Sequence, residues 1–247
     1  MLGYVGWLLG HCDATEAHMR EARRLIALSE RHRLGILGAH GEAHLGWALC
    51  LQGDLAQGSV VLEQAIAAFD AAENRVGLVR YLACLADARR RTGRLAEAGA
   101  LHARASRMVR ESGELWFESE VMRLGALIAR DADPRRPEAA EALLRDAAAL
   151  ARRRGMPIFE LWCLLDLSRL LGPARPDPAV SARIGELSHL QNLERRAAEA
   201  LRLHGYGGWR ANLGARRPEP SPRGMEETRA RDAGAATGPG DASLPRR

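Results

Sequence analysis

Small and large apolar residues recur along the chain at helical spacing, and that recurrence itself repeats. A frame of one small residue, three others, a large one, two others and then Ala occurs at Thr15, Met19, Ala22 and at Gly58, Leu62, Ala65. It returns at Ala98, His102, Ala105 and at Ala140, Leu144, Ala147. The four alanines stand 43, 40 and 42 residues apart. A period near forty means stacked supersecondary units.

A second pattern lies upstream of three of these frames: Leu45-Gly46 with Leu49, Leu85-Ala86 with Arg89 and, less cleanly, Gly125-Ala126. A further copy, Leu167-Ser168 with Leu171, starts a last unit. A small residue inside each helix lets its neighbour's backbone approach, and large residues at helical spacing form the stripe that packs there. Each unit therefore reads as a helical hairpin. Gly53 and Gly93 fall between the two patterns, where Gly tolerates the left-handed turn that ends a helix. In the third unit that turn is longer and proline-bearing, Asp131 to Pro137, and predicts an enlarged loop. Between units, Glu73-Asn74, Gly113 and Gly155 before Pro157 mark the other turns.

These boundaries predict an all-α solenoid over residues 1–204. A partial first unit covers 1–37, hairpins cover about 38–78, 79–117 and 118–155, and a terminal unit with its cap covers 156–204. The last unit begins near Phe159, and Gly172-Pro173 with Pro176-x-Pro178 break its turn. A capping helix is expected from about Ala179 to Leu203, with Gly185 as the place for a kink or split, because an open solenoid end exposes apolar surface. From Gly205 the composition changes. Residues 214–247 hold five of the eleven prolines, no aromatic and almost no large aliphatics. Such a segment cannot bury enough to offset its ordering entropy, so 205–247 reads as a disordered tail, with Trp209 able to fold back on the cap.

Composition agrees with helices. Of 247 residues 47% are hydrophobic but only 4% aromatic, leaving Ala and Leu to carry the core, which suits close helix packing better than sheets. The chain has no Lys, so all 36 basic residues are Arg. That excludes a P-loop Gly-Lys-Ser/Thr, a Schiff-base lysine and pyridoxal phosphate attachment. Arginine cannot substitute, because its guanidinium stays protonated at any useful pH. Arg and Ala bias of this kind commonly reflects GC-rich coding. Cys12, Cys50, Cys84 and Cys163 form no Cys-x-x-Cys pair, and Met1 to Leu9 is apolar without a basic n-region or clear cleavage site. Free, mostly buried thiols in a reducing cytoplasm are expected, with no membrane span.

The stretch Leu45-Gly46-Trp47-Ala48-Leu49, with Gly53-Asp54-Leu55 and Gly58, resembles a tetratricopeptide repeat. The longer period and two strings are more specific: Trp116-Phe117-Glu118-Ser119-Glu120-Val121 with Arg123-Leu124, and Glu160-Leu161 with Leu167-Ser168-Arg169-Leu170-Leu171. They resemble the C-terminal repeat array of large bacterial signalling ATPases, over roughly residues 4 to 172. Those proteins carry a nucleotidyl cyclase or winged-helix DNA-binding domain, then an AAA-type ATPase, then the array. This chain shows no cyclase domain with metal-binding aspartates, no Walker A lysine and no winged helix. Its first unit shows only a second helix, so a fragment, a mis-called start or a decayed gene is expected. The resemblance implies a right-handed superhelix whose first helices line the concave side.

Catalytic chemistry finds no constellation. His40 and His44 lie four apart on a predicted helix, but Gly41-Glu42-Ala43 between them is not the order a zinc protease needs and no third ligand is suggested. In His11-Cys12-Asp13 a capping role for Asp13 outweighs a ligand cluster. No Gly-x-Ser-x-Gly elbow occurs, and Gly205-Tyr206-Gly207-Gly208 lacks a strand-to-helix context. Glu118 and Glu120, two apart, point to different helix faces. No metal or cofactor is expected.

Register places His40, Trp47 and Cys50, then Arg80, Asp87, Arg90 and Arg91, then Arg123 and Arg130, with Arg169, on the groove side. Two readings of this face stay open: guanidinium groups gripping carboxylates on a peptide or a partner's acidic helix, and a solvated arginine face left by codon bias. A net charge of +5 is thin for nucleic acid, and Arg89 to Arg91 and Arg152 to Arg154 lack interleaved aromatics. Arg152 to Arg154 finish a helix before Gly155, where cations meet the negative end of its dipole. At the other end Tyr4, Trp7 and Leu8 offer apolar surface to another copy. The expected function is a non-catalytic scaffold that binds a protein or peptide in its groove. The alternative is a sensor module of a cyclase or a winged-helix regulator ATPase.

Overall fold

The computed structural model describes residues 15–112 and 115–189, and every regular element among them is a helix. In chain order these are α1 (Thr15–His32), α2 (Gly35–Gln52), α3 (Leu55–Ala71), α4 (Leu78–Arg91) and α5 (Leu95–Ser112). A short 3-10 turn, Leu115–Phe117, leads into α6 (Glu118–Ala132), followed by α7 (Pro137–Arg153) and α8 (Pro157–Leu171). A ninth helix, α9, runs over 178–189. Each helix from α1 to α7 packs on the next. In addition α2 touches α4, α4 touches α6, and α6 touches α8, so the first helices of successive hairpins form a continuous inner row. Short links, sequential packing and one inner row define an α-solenoid.

The turns repeat at half the period of the hairpins. Left-handed residues stand at Arg33 (φ 56°), Gly53 (φ 97°), Glu73 (φ 50°) and Gly93 (φ 77°), twenty apart, and again at Gly155 (φ 65°). After each, the next amide donates back to the carbonyl five residues earlier, as Asp54 N–H does to Leu49 and Arg94 N–H to Arg89. This bond satisfies a carbonyl that the helix end would otherwise leave open. Helix starts are less uniform. Asp54 caps α3 by accepting from the Gln57 amide at 3.1 Å, and Asp177 caps α9 by accepting from Ala179 and Val180. Within hairpins the turn between α6 and α7 is longer than the earlier two, spanning 133–136 before Pro137 opens α7, against 53–54 and 92–94; the links at 72–77 and 172–177 are longer still.

The core follows the sequence frame. Ala65, Ala105 and Ala147 are fully buried and Ala22 nearly so, each at a helix crossing. At the α2/α3 crossing two glycines bring the backbones together. A Cβ on Gly58 would sit 2.7 Å from the Gly46 carbonyl oxygen and 2.9 Å from the Cys50 amide nitrogen, which no side chain can relieve. Gly125 serves a different purpose: a Cβ there would lie 2.7 Å from Nε2 of His102, the large member of its frame. That ring reaches across from α5 to place Nε2 3.0 Å from the Val121 carbonyl oxygen. The weaker second pattern in the third unit is thus the space His102 occupies.

Two boundaries move. The second hairpin begins at Gly35 rather than near 38, because Arg33 takes a left-handed turn that no Gly or Pro announces. Helix α9 passes through Gly185 without a break. The readings of Tyr4, Trp7, Leu8, His11 to Asp13, Gly113, the end of the cap beyond 189, Trp209 and the tail over 205–247 lie outside the described residues.

Candidate functional site

The inner row lines a groove that encloses about 370 Å³. Trp47, Cys50 and Leu51 enter it from α2, Ala83, Cys84, Asp87 and Arg91 from α4, and Glu120, Arg123 and Leu124 from α6. Trp162, Leu165, Asp166 and Arg169 enter from α8, and Phe117 from the turn before α6. Spacings of three, four and seven on each helix put these residues on one face. Of the groove residues expected from register, Trp47, Cys50, Asp87, Arg91, Arg123 and Arg169 are brought together. His40, Arg80, Arg90 and Arg130 stand outside this lining set. Trp162 and Asp166 were missed, although they lie two turns and one turn before Arg169 in the same register.

The groove's charges come mostly paired. Arg123 grips Glu120 through Nε at 2.7 Å and NH2 at 2.6 Å and reaches Asp166 on the next first helix through NH1. Asp166 also accepts from Arg169 at 2.8 Å. Three carboxylates and three guanidinium groups thus face the space, a near balance rather than a basic surface. Burial pushes the Glu120 carboxyl up and Arg123 opposes it, so the pair rests on close geometry. Arg91 differs. It is exposed, and its NH1 donates to the Cys50 carbonyl at 3.0 Å. Burial also pushes the Cys50 thiol up to about 11, which keeps it an unreactive lining atom.

Arg90 leaves the lining because it clasps two elements. Its Nε and NH2 meet Asp87 at 3.0 and 2.8 Å, and its NH1 meets Asp131 on α6 at 2.5 Å. Arg130 holds the same Asp131 at 2.7 Å. His40 and Arg80 leave it for a buried cluster: His40 Nδ1 lies 2.8 Å from the Tyr81 hydroxyl, to which Arg80 NH2 also donates at 2.8 Å. The clasps share one span. His40 to Tyr81, Cys50 to Arg91 and Arg90 to Asp131 are each 41 residues apart, and Arg123 to Asp166 is 43, so each joins adjacent units of the inner row. His44 turns toward His18, and among the described residues no group of three or more His, Cys, Asp or Glu side chains is placed to hold a metal.

Sequential hairpins and an inner row of first helices lining an open groove define a tetratricopeptide-like α-solenoid. Among solved structures the chain is similar to nearly identical TPR-like repeats of a protein described as a putative kinesin light chain from Podosopora anserina, at 15% identity and TM-score 0.48, covering 81% of this chain and 93% of that one. A single-substitution form of those repeats matches at 14% identity and the same TM-score, covering 83% and 95%. No family model matches the chain, and neither does any curated protein. No described helix is long and apolar enough to cross a membrane.

Proposed function

We propose that the chain is a non-catalytic cytoplasmic scaffold that holds a peptide or partner helix in the groove of its inner row. The observation that carries this reading is the groove itself: α2 lines it with Trp47, Cys50 and Leu51, and α4, α6 and α8 each present charged side chains beside apolar ones, with Trp47 and Trp162 on its first and last helices. Large indole faces supply contact area at low entropic cost, and a paired charge ladder between them sets register along a ligand. Arg91 is the position for an acidic side chain of the ligand, since its guanidinium spends one N–H on a carbonyl and keeps others for a carboxylate. The rest of the ladder asks for a ligand with apolar residues and charges of both signs. Peptide display on the purified chain tests this. Enriched peptides should lose about tenfold or more in affinity on Arg91→Ser or Leu165→Glu and keep it on Arg107→Ser, which lies away from the groove. No enrichment, or equal binding to all variants, overturns it.

A second reading rests on the strings Trp116 to Leu124 and Glu160 to Leu171, which resemble the repeat array of bacterial signalling ATPases. In that setting the solenoid is the sensor or regulatory part beside a cyclase or winged-helix regulator. The flanking DNA decides it: an adjoining frame with a Walker lysine supports the reading, and unrelated neighbours on both sides remove it.

A further inference from the structure

Three helices meet at a run of polar side chains outside the groove's lining. His18 on α1 is fully buried, with Nε2 3.0 Å from Nδ1 of His44 on α2. Arg80 on α4 fixes where the protons sit. A guanidinium only donates, so NH2 gives one hydrogen to the Tyr81 hydroxyl at 2.8 Å and turns the other toward His44 Nε2 at 3.5 Å. His44 Nε2 therefore accepts and carries no hydrogen, and the neutral ring donates from Nδ1 to His18 Nε2. His18 keeps its own proton on Nδ1, an atom buried with no hydrogen-bond partner among the described residues.

The short contact between the rings holds one proton. A second, arriving on His18 Nε2, would face the Nδ1–H of His44, donor against donor, and would add a cation near Arg80 in a fully buried site. Among the described residues the surroundings of His18 come from three helices. From α2 come His44 and the Trp47 ring, 5.0 Å away edge to face. His40, also on α2, takes the Tyr81 O–H at 2.8 Å, and Arg80 comes from α4. On α1 itself Glu21 stands one turn on, its carboxylate 3.9 Å from Arg24. Burial first, and then the Arg80 charge, hold the His18 ring at about 3.

We propose that the His18–His44 contact is an acid-released latch: proton uptake on His18 Nε2 breaks the hydrogen bond from His44 and lets α1 part from α2. The face so opened is tightly packed, since a Cβ on Gly41 would lie 2.7 Å from Ile26 of α1.

Hydrogen exchange on the full chain, corrected for the intrinsic rate and compared at pH 7.5 and 5.0, tests it. Amides of α1 should lose protection roughly tenfold for each pH unit below about 6.5, while those of α6 and α7 keep theirs. His18→Gln, whose side-chain oxygen accepts the His44 proton and takes up none, should keep α1 protected at pH 5.0. Unchanged α1 protection in the parent chain, or equal loss in the Gln variant, overturns the latch. If that variant does not fold, histidine ring NMR on the parent chain decides. Proton uptake by His18 well below pH 6.5 that coincides with loss of α1 signals supports the latch, and uptake near pH 6.5 with α1 intact overturns it.

Discussion

At Gly46 and Gly58 the fold depends on an absent atom. Their helices approach until one backbone meets the other, and the nearest obstacles to a Cβ on Gly58 include main-chain atoms that have nowhere to move. Gly58→Ala should therefore cost about 1–3 kcal/mol, as overpacking does, and urea unfolding reads it as a lower midpoint at unchanged slope. Gly99 on α5 supplies the contrast. It too is helical, but a Cβ there meets nothing within 4 Å. Gly99→Ala should then raise stability by about 0.5–1 kcal/mol, because only the entropy of the unfolded chain changes. Two chemically identical substitutions with opposite signs separate crossing from propensity.

Within and between elements, polar clasps add specificity to apolar stacking. Glu120 and Asp166 are 9% and 7% exposed, and Arg123 pairs with both, bridging the α6/α8 seam to Asp166. Arg123→Met removes the guanidinium and leaves two carboxylates buried without it. The loss should be about 3–5 kcal/mol. Adding Glu120→Gln and Asp166→Asn should recover much of that, and unfolding of the triple variant checks it. The hairpins themselves were readable from the sequence because the small residue at a helix crossing is a steric requirement that only small side chains meet. The clasps were not. Register put Arg90 and Arg130 on the groove side, but a periodic pattern does not say that Asp131, one period from Arg90, waits on the next first helix. The same blindness hid the start of α2, where Arg33 adopts a conformation usually left to glycine.

For the whole molecule, buried histidines tie stability to pH. His18 and His40 are held at about 3 and about 4, by burial first and then by the Arg80 charge. An unfolded chain binds these protons near pH 6.5, so the folded state is the one with fewer protons below that point. Their contribution is complete above pH 6.5 and is lost as pH falls toward 4. For the fully buried His18 alone the loss at pH 5 is about 2 kcal/mol. Urea midpoints should drop between pH 7.5 and 5, and His18→Gln should flatten part of that slope.

The seams along the inner row are not copies of one another. One is closed by an imidazole and a phenol, the next by a guanidinium with an aspartate, the last by a guanidinium shared between two acids. Exchanging the second and third hairpins would keep every apolar stripe in place yet confront each linking side chain with a stranger. Although its parts look interchangeable, the solenoid therefore carries its own assembly order, and a permuted array should associate poorly at its joints.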